Sequence, residues 1–481
     1  MREWRGIKDT IVDYHYWLAN WKALLVFVLK SPIQFLKALS KYRWLFSYLH
    51  THEFVDRHTQ GLRGTALKVA HLHYSSIVKH LTEILHNTFN HQDEVVVIDE
   101  LIPPQIVVGM GLKTCPLELA PYFISSMVDQ QITKYYIDAV ENYGVPADVC
   151  PLPSGSAGVA IEDDYPKTGK CAVVSNMPCD GSAATTAIID RRINLPTHIL
   201  DVPLRYDEEG GKEIMVEELK EMIAFIEENT GKKMDWNRLR EVCETYNKQS
   251  EYEIEKWEIN RTDYPQVTGA SLWLYRIYYY QMGAGHPLFV KTDKKVNKLI
   301  KKAYKNKELC TKNPKYRAIL WNCPSNYYTH LSLWTENAWG VSVLNDLETH
   351  TSVDLIDTST PDTMLEGIAH QYSRATMRKH TKGGYPHALD ELWQLCEEYN
   401  ADFVLMTDQI SCKGMDALGG IYEEEARKRN IKICWVQHDL MDPRTISRQQ
   451  MRDSVNKFMY NIMQAEPVDE SLLEIEDHQA W

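Results

Sequence analysis

A cysteine placed between a strand and a helix is the first feature of this chain that could do chemistry. In residues 171–192, the apolar run 172–174 predicts a buried strand, and the small residues 181–189 predict a helix. Cys179 lies between them. The partial positive charge at the amino end of a helix favours a thiolate, the form of cysteine that binds soft metals. The sequence therefore predicts an easily ionised, metal-binding thiol at Cys179.

Two further cysteines have a similar setting. Cys150 is followed by proline, serine and glycine, which we expect to keep the backbone open and polar, and Cys412 follows the apolar run 403–406 and precedes a predicted helix. Open α/β sheets bind ligands beyond the carboxyl ends of their strands. Three cysteines at three strand-to-helix junctions can therefore converge on one point.

The type of metal centre follows from the spacing of these cysteines. The chain has no Cys-x-x-Cys pair, which disfavours zinc ribbons, thioredoxin-like motifs and ferredoxin-type clusters. Three distant ligands suit a cubane iron-sulfur cluster with one iron left open, which acts as an electron carrier and a Lewis acid. The alternative is three core cysteines, because free cysteine is among the most buried residue types. The residues alone leave both interpretations open.

Six of the other seven cysteines are interpreted as structural. Those predicted to lie within strands or helices are Cys171, Cys243, Cys396 and Cys434. Cys310 and Cys323 are assigned to the same class, whereas Cys115 stays open because it too precedes a turn.

Composition limits the possible partners. A net charge of −13 argues against nucleic acid as a binding partner. Ten irregularly spaced cysteines are typical of a protein in a reducing cytoplasm rather than of a disulfide framework. The apolar run 23–29 is shorter than the roughly 20 residues that span a bilayer. We therefore expect no signal peptide, no membrane helix and no membrane partner.

Changes in composition along the 481 residues predict five regions. We expect an α/β protein with two Rossmann-like domains, a helical insertion between them and a helical N-terminal arm. The arm is 1–93, the first α/β cluster-binding domain 94–205, the helical domain 206–315, the second α/β domain 316–465, and a loosely held acidic tail 466–481.

The arm contains an amphipathic helix. Its apolar residues at helical spacing are Trp17, Trp21, Leu24, Leu25 and Val28. We expect this stripe to cover the core or a partner rather than a membrane surface, because the polar face of the helix is not strongly basic. The arm also carries histidines without zinc-like spacing to cysteines or carboxylates, namely His50, His52, His58, His71 and His73.

Four motifs in order give the chain a resemblance to a known family. They are Asp-Val-Cys at 148–150, Ser-Asn-x-x-Cys-Asp-Gly at 175–181, Ser-Cys-Lys at 411–413 and Asp-Leu-Met-Asp-Pro-Arg at 439–444. From about 94 to 465 the chain resembles the larger, alpha-type iron-sulfur subunit of the 2-hydroxyacyl-CoA dehydratase and benzoyl-CoA reductase superfamily. The resemblance implies a 4Fe-4S cluster on Cys150, Cys179 and Cys412. It also implies a related smaller iron-sulfur subunit as partner and an acyl-CoA substrate.

The implied reaction removes water from a (R)-2-hydroxyacyl-CoA to give a 2-enoyl-CoA. The β proton is not acidified by the carbonyl, and general acid-base catalysis, contributing typically about 10²- to 10⁴-fold, does not bridge that gap. In the family, one electron on the thioester carbonyl gives a ketyl radical that expels hydroxide. An ATP-hydrolysing iron-sulfur activator protein supplies the electron, which fits the absence of a G-x-x-x-x-G-K-[ST] loop here.

Further residues have weaker assignments. By resemblance Glu118 is a catalytic acid-base group, with a carboxylate at a helix start as the alternative. Ser175 and Ser411 either bond cluster sulfur or cap helices, and Arg444 is expected to order its loop rather than contact substrate. The basic run 294–307 is expected to be a solvated helix face rather than a coenzyme A contact.

Two features leave the substrate open. Where the family carries a lysine and bulky aromatic residues after the second cysteine, this chain has small residues at 182–186, which predicts a wider or differently lined pocket. Residues 434–447 resemble reductases as closely as dehydratases. A subunit of an ATP-dependent aryl-CoA reductase and a non-catalytic electron-relay subunit are therefore the alternative functions.

Overall fold

The computed structural model describes residues 6–99, 101–117, 122, 124–176, 179–347, 354–374 and 385–475. The helices of the N-terminal arm are α1 Ile7–Lys30, α2 Pro32–Lys41, α3 Leu45–Leu49, α4 Thr51–His58 and α5 Gly64–Asn90. The first α/β unit contains β1 Val95–Ile98, α6 Pro104–Gly109, β2 Lys113–Pro116, α7 Ile124–Val128, α8 Gln130–Tyr143, α9 Pro151–Ile161, β3 Cys171–Ser175, α10 Asp180–Ile193 and β4 Thr197–Leu200.

The helical insertion and the second α/β unit complete the chain. The insertion consists of α11 Gly211–Thr230, α12 Trp236–Asn260, α13 Gly269–Gln281 and α14 Pro287–Lys305. The second unit contains β5 Tyr316–Trp321, α15 Leu331–Trp339, β6 Val341–Asp346, α16 Pro361–Ser373, α17 Tyr385–Glu398, β7 Phe403–Gln409, α18 Lys413–Asp416, α19 Gly419–Arg429, β8 Lys432–His438 and α20 Arg448–Asn461.

The described strands form two four-stranded parallel sheets of the same topology. Their strand orders are β2-β1-β3-β4 and β6-β5-β7-β8. Most of the strands are buried on both faces, as expected for parallel sheets covered by helices. The strand order reverses between β1 and β3 and between β5 and β7, which are the positions where such sheets place ligands. The predicted α/β class with two Rossmann-like sheets is confirmed.

One strand was not predicted. Cys115 lies within β2 and pairs with Val97 of β1, whereas the sequence suggested that it precedes a turn. The segment Lys113–Pro116 is short and has no apolar run, so its strand character depends on pairing with β1 rather than on its own pattern.

The N-terminal arm packs on the rest of the chain through α5. Helix α1 buries Leu24 and Phe27 and runs along α5, which in turn contacts α13, α14 and β2. Trp44 donates a hydrogen bond of 2.9 Å to the carbonyl of Asp164 in the first α/β unit. Leu25, predicted on the buried face of α1, is 52% exposed, because it lies one residue beyond the packed position of Leu24.

A buried ion network joins the helical insertion to the second sheet. Lys256 lies 2.9 Å from Glu253 and 2.7 Å from Asp293, and all three side chains are at most 3% exposed. Arg276 bridges Glu253 at 2.8 Å and Asp346, the last residue of β6, at 3.1 Å. Buried charges persist only when they are paired, so this network fixes α12, α13 and α14 against β6.

The acidic tail was predicted to be loosely held, and for residues 466–475 this is wrong. The amide of Val468 donates to the carbonyl of Ala338 at 2.7 Å, and Trp334 donates to the carbonyl of Leu472 at 2.9 Å. Ile475 is buried. Charge density suggested a mobile tail, but its interspersed apolar residues dock on α15. Residues 476–481 lie outside the described part of the chain.

Candidate functional site

Each of the three predicted cysteine ligands precedes a helix. Cys179 follows β3 and caps α10, while Cys412 follows β7 and caps α18. Because β3 and β7 occupy the same position in their respective sheets, these two thiols come from equivalent points of the two α/β units. Cys150 caps α9 but follows α8, so the predicted strand-to-helix junction there is wrong, as is the predicted open backbone after it.

The three thiols lie within electrostatic reach of one another. The charge on Cys179 and that on Cys412 both raise the pKa of Cys150, and the charge on Cys179 raises the pKa of Cys412. Coulombic interactions of this kind fall off with distance, so the coupling brings together residues that are far apart in sequence. That the three thiols share one ligand site stays a prediction.

The surroundings of Cys150 and Cys412 oppose ionisation of these two thiols. Burial raises the pKa of Cys150, and burial raises the pKa of Cys412 to about 11. Helix amides oppose this shift, because the N–H of Leu152 points at Cys150 and those of Gly414 and Met415 point at Cys412. Burial outweighs these amides. A metal cation would replace the protons and be held by the resulting thiolates.

Gly181 leaves space beside the sulfurs. A Cβ atom at this position would lie 3.3 Å from Val149 Cγ1, 3.7 Å from Cys179 Sγ and 4.0 Å from the backbone nitrogen of Cys150. The glycine of the Cys-Asp-Gly motif therefore lies between two of the three cysteines. A longer side chain there would occupy the volume that they share.

Sequence reasoning missed two side chains that contact Cys150 or lie near it. Gln409, the last residue of β7, donates to Cys150 Sγ at 3.3 Å and to Ser411 Oγ at 3.2 Å. Tyr122 is buried, its hydroxyl has no hydrogen-bond partner among the described residues, and the charge of Cys150 contributes to raising its pKa after burial. Gln409 lies three residues before Cys412 on the strand that positions this cysteine, which was the available signal.

Two ion pairs hold the second α/β unit against the segment that presents Cys150. Lys413 binds Asp148 at 2.6 Å, and Arg444 binds Asp138 of α8 at 2.6 Å while also pairing with Asp442. Asp148 and Lys413 belong to the Asp-Val-Cys and Ser-Cys-Lys motifs themselves. The expected ordering role of Arg444 fits these contacts.

A pair of carboxyl groups flanks Cys412. The pKa of Asp416 is raised to about 8, first by partial burial and then by its hydrogen bond to Asp408 and the charge of Asp408. Two adjacent carboxyl groups share one proton in such an arrangement. The sequence interpretation did not include this pair.

Three thiols from distant segments are the donor type that an iron-sulfur cluster requires. Within the described ranges, no three His, Cys, Asp or Glu side chains are grouped closely enough to hold one metal ion. A single ion would draw thiolates to about 2.3 Å. A cubane cluster binds each cysteine through a different iron, so its ligands are spaced further apart.

Other predicted residues have the following positions. Cys171, Cys243, Cys396 and Cys434 are buried within β3, α12, α17 and β8. Glu118 lies outside the described residues. The basic run is part of α14, whose apolar side is buried and whose lysines 294, 298 and 305 are exposed. The five arm histidines named in the sequence analysis each bond a separate partner.

A cleft of about 630 Å³ between α11 and α16 does not suit a coenzyme A ester. Its carboxylates are Glu213, Glu217, Asp354, Asp357, Asp362 and Glu366. The cationic side chains among its lining residues are Lys212 and Lys220, and Lys220 already pairs with Glu217 and Asp362. The acidic excess would repel phosphates.

Two parallel sheets of equal topology, with thiols at equivalent strand ends, define a class of α/β protein with a candidate iron-sulfur site between its halves. Residues 101–462 match the family described as 2-hydroxyglutaryl-CoA dehydratase, D-component, and the chain belongs to this family. It is accordingly a component of the 2-hydroxyacyl-CoA dehydratase type. Comparison with curated proteins gives no significant match. The arm precedes the matched region.

Proposed function

We propose that this chain is the iron-sulfur subunit of a 2-hydroxyacyl-CoA dehydratase. It would remove water from a (R)-2-hydroxyacyl-CoA to give a 2-enoyl-CoA by a ketyl-radical route, after ATP-dependent one-electron activation. The proposal is supported by the contacts that bring these segments together in a member of the dehydratase family: Gly181 lies beside Cys179 and Cys150, and Gln409, three residues before Cys412, donates to Cys150. A 4Fe-4S cluster on these thiolates supplies an electron and, at its fourth iron, a Lewis-acid position.

The residues of this chain hold and shield that site. The amides of Leu152, Gly414 and Met415 stabilise negative charge on the sulfurs, and Gln409 adds a side-chain donor. Cys412 is 8% exposed, so water has little access to this ligand. Gly181 keeps the space between the ligands open.

Proton transfer needs a separate group. Glu118 is proposed as the acid-base residue, on the strength of its place in the family motif. General acid-base catalysis contributes typically about 10²- to 10⁴-fold, so this residue assists the radical chemistry and does not replace it.

The proposed partners follow from what the sequence lacks. Without a phosphate-binding G-x-x-x-x-G-K-[ST] loop, the chain needs an ATP-hydrolysing iron-sulfur activator to deliver the electron. A related smaller iron-sulfur subunit would complete the substrate site. The structure describes all ten cysteines and none of them forms a disulfide, which favours a reducing compartment such as the cytoplasm.

The experiment that tests the function is a count of product per electron. The chain, its partner subunit and the activator are reduced with ATP, excess reductant is removed, and 2-hydroxyacyl-CoA and aryl-CoA substrates are added. Because a dehydratase recovers its electron after each cycle, we expect many enoyl-CoA molecules per electron. Consumption of two electrons for every product, with a dienoyl-CoA formed, would instead identify an aryl-CoA reductase.

A further inference from the structure

The exposed surface of α1 and α2 has no role in the proposed function. Large apolar side chains on α1 are between 52 and 75% exposed, namely Ile7, Ile11, Tyr14, Leu18, Leu25 and Leu29. On α2, Ile33 and Leu36 are 68 and 63% exposed. Contiguous exposed apolar surface of this size marks an interaction site.

The spacing of these residues makes them one stripe. Steps of three, four and seven residues along α1 keep the side chains on one side of a helix. The opposite side, with Leu24 and Phe27, is buried against α5. Helix α1 is therefore apolar on both sides, and its protein contacts use one of them.

The charges on α1 and α2 are mainly positive. The exposed lysines of α1 and α2 are Lys8, Lys22, Lys30, Lys37 and Lys41. The acidic residues of these helices are Asp9 and Asp13: Asp13 is buried and pairs with His71, whereas Asp9 is half-buried and accepts from the amide of Gly64. An apolar stripe edged by cations thus lies on a chain whose net charge is −13.

The charge and apolar character of the stripe indicate what binds to it. Two copies of this surface would bring like charges together, which disfavours self-association through it. An apolar stripe with lysines at its edges is the pattern of helices that lie on anionic lipid surfaces. The sequence interpretation disfavoured a membrane surface because α1 alone is weakly basic. The structure adds the lysines of α2 and shows that Asp13 is buried against His71.

We propose that α1 and α2 form a peripheral membrane anchor that binds anionic phospholipid. In the part of the chain that the structure describes, no single helix is long and apolar enough to cross a membrane. Helices α1 and α2 reach that hydropathy together, but the chain turns by 101° between them, so they do not form a straight span. The anchor lies outside the residues that match the dehydratase family, and its role is independent of the proposed function.

The test is sedimentation of the full-length protein with lipid vesicles. One set contains phosphatidylcholine alone, and in the other one lipid in four is phosphatidylglycerol. We expect binding to the anionic vesicles that weakens with added salt, and at least tenfold weaker binding to the neutral ones.

Two variants separate the apolar and electrostatic contributions. Leu18→Glu with Leu25→Glu changes exposed stripe residues and should lower vesicle affinity at least tenfold. Lys22→Glu, Lys30→Glu and Lys37→Glu together should lower it roughly a hundredfold. The matched control has Lys294→Glu, Lys298→Glu and Lys305→Glu, the same charge change on α14, and should bind nearly as the unmodified chain does. Circular dichroism and iron content check that each variant is folded.

Three results would overturn the proposal. The first is failure of the unmodified protein to sediment with either type of vesicle. The second is equal loss of binding in the α14 control. The third is a stripe variant that binds vesicles normally but changes its oligomeric state on size-exclusion chromatography, which would identify the surface as a protein interface.

Discussion

The side-chain amide of Gln409 lies 3.3 Å from the sulfur of Cys150, although 259 positions separate the two residues. Gln409 ends β7 in the second sheet, and Cys150 is the N-cap of α9 in the first α/β unit. The contact joins the two α/β units at the candidate ligands themselves. One strand thus supplies both a hydrogen bond to Cys150 and, three residues later, Cys412.

The Gln409 contact leads to a prediction about redox potential. A hydrogen bond to cluster sulfur favours the more negative, reduced form, so Gln409→Leu should lower the potential. A bond of about 0.5–1.5 kcal/mol corresponds to roughly 20–65 mV for one electron. Redox titration followed by electron paramagnetic resonance measures the shift. Gln394→Leu, at an exposed position of α17, is the control, and an equal potential in both variants would refute the role of Gln409.

Gly181 provides a steric prediction. A methyl group there meets only ordinary or slightly tight contacts, so Gly181→Ala should retain iron. Gly181→Leu should lose most of it, because the longer side chain enters the space beside Cys179 and Cys150. Gly420→Leu is the matched control, since a Cβ at this helical glycine has no neighbour within 4 Å. Iron content is the measurement. A full iron content in Gly181→Leu would contradict the position of Gly181 beside the cluster ligands.

Part of the site could be predicted because two of its strands are recognisable from their apolar sequences. The apolar runs of β3 and β7 identify two buried strands, and Cys179 and Cys412 follow them, so their position at the sheet ends is a consequence of local pattern. The position of Cys150 does not follow from local pattern. Helix α9 begins with Pro-Leu-Pro, and its small buried residues resemble a loop in sequence.

The contacts that could not be predicted are long-range. The direction of the Gln409 side chain depends on how the two units dock, and the Asp408–Asp416 pair depends on the turn through Cys412. The docked tail likewise depends on the surface of α15. Local periodicity contains no information about such contacts.

The buried network around Lys256 predicts a large effect on stability. Lys256→Met leaves the carboxylates of Glu253 and Asp293 buried without their shared cation, which should cost about 3–5 kcal/mol. Lys301→Met is the control, because its pair with Glu255 is half exposed and contributes less than about 1 kcal/mol. Urea unfolding measures the loss of stability in both variants. Equal midpoints in the two variants would show that the network is not required.

Glu336 predicts how stability depends on pH. Burial raises the pKa of this carboxyl to about 7, although Thr311 and Thr268 donate hydrogen bonds to it. Between about pH 4.5 and 7 the unfolded chain releases a proton that the folded chain retains. The free energy of unfolding is therefore highest below pH 4.5. It falls by about 3 kcal/mol as pH rises through 7.

Glu336→Gln should remove this dependence. The variant should gain stability relative to the unmodified protein as pH rises from 5 to 8, measured by urea unfolding at each pH. An unchanged difference between the two proteins across this range would show that Glu336 is already ionised in the folded chain.

The central claim is that Cys150, Cys179 and Cys412 hold one iron-sulfur cluster, and iron and sulfide analysis of the anaerobically purified chain tests it most directly. The account predicts about four irons per chain. It also predicts that single replacement of any of these three cysteines by serine loses the cluster, whereas Cys434→Ser retains it. An essential Cys115 or Cys323, together with a Cys412→Ser variant that keeps its full iron content, would contradict the account.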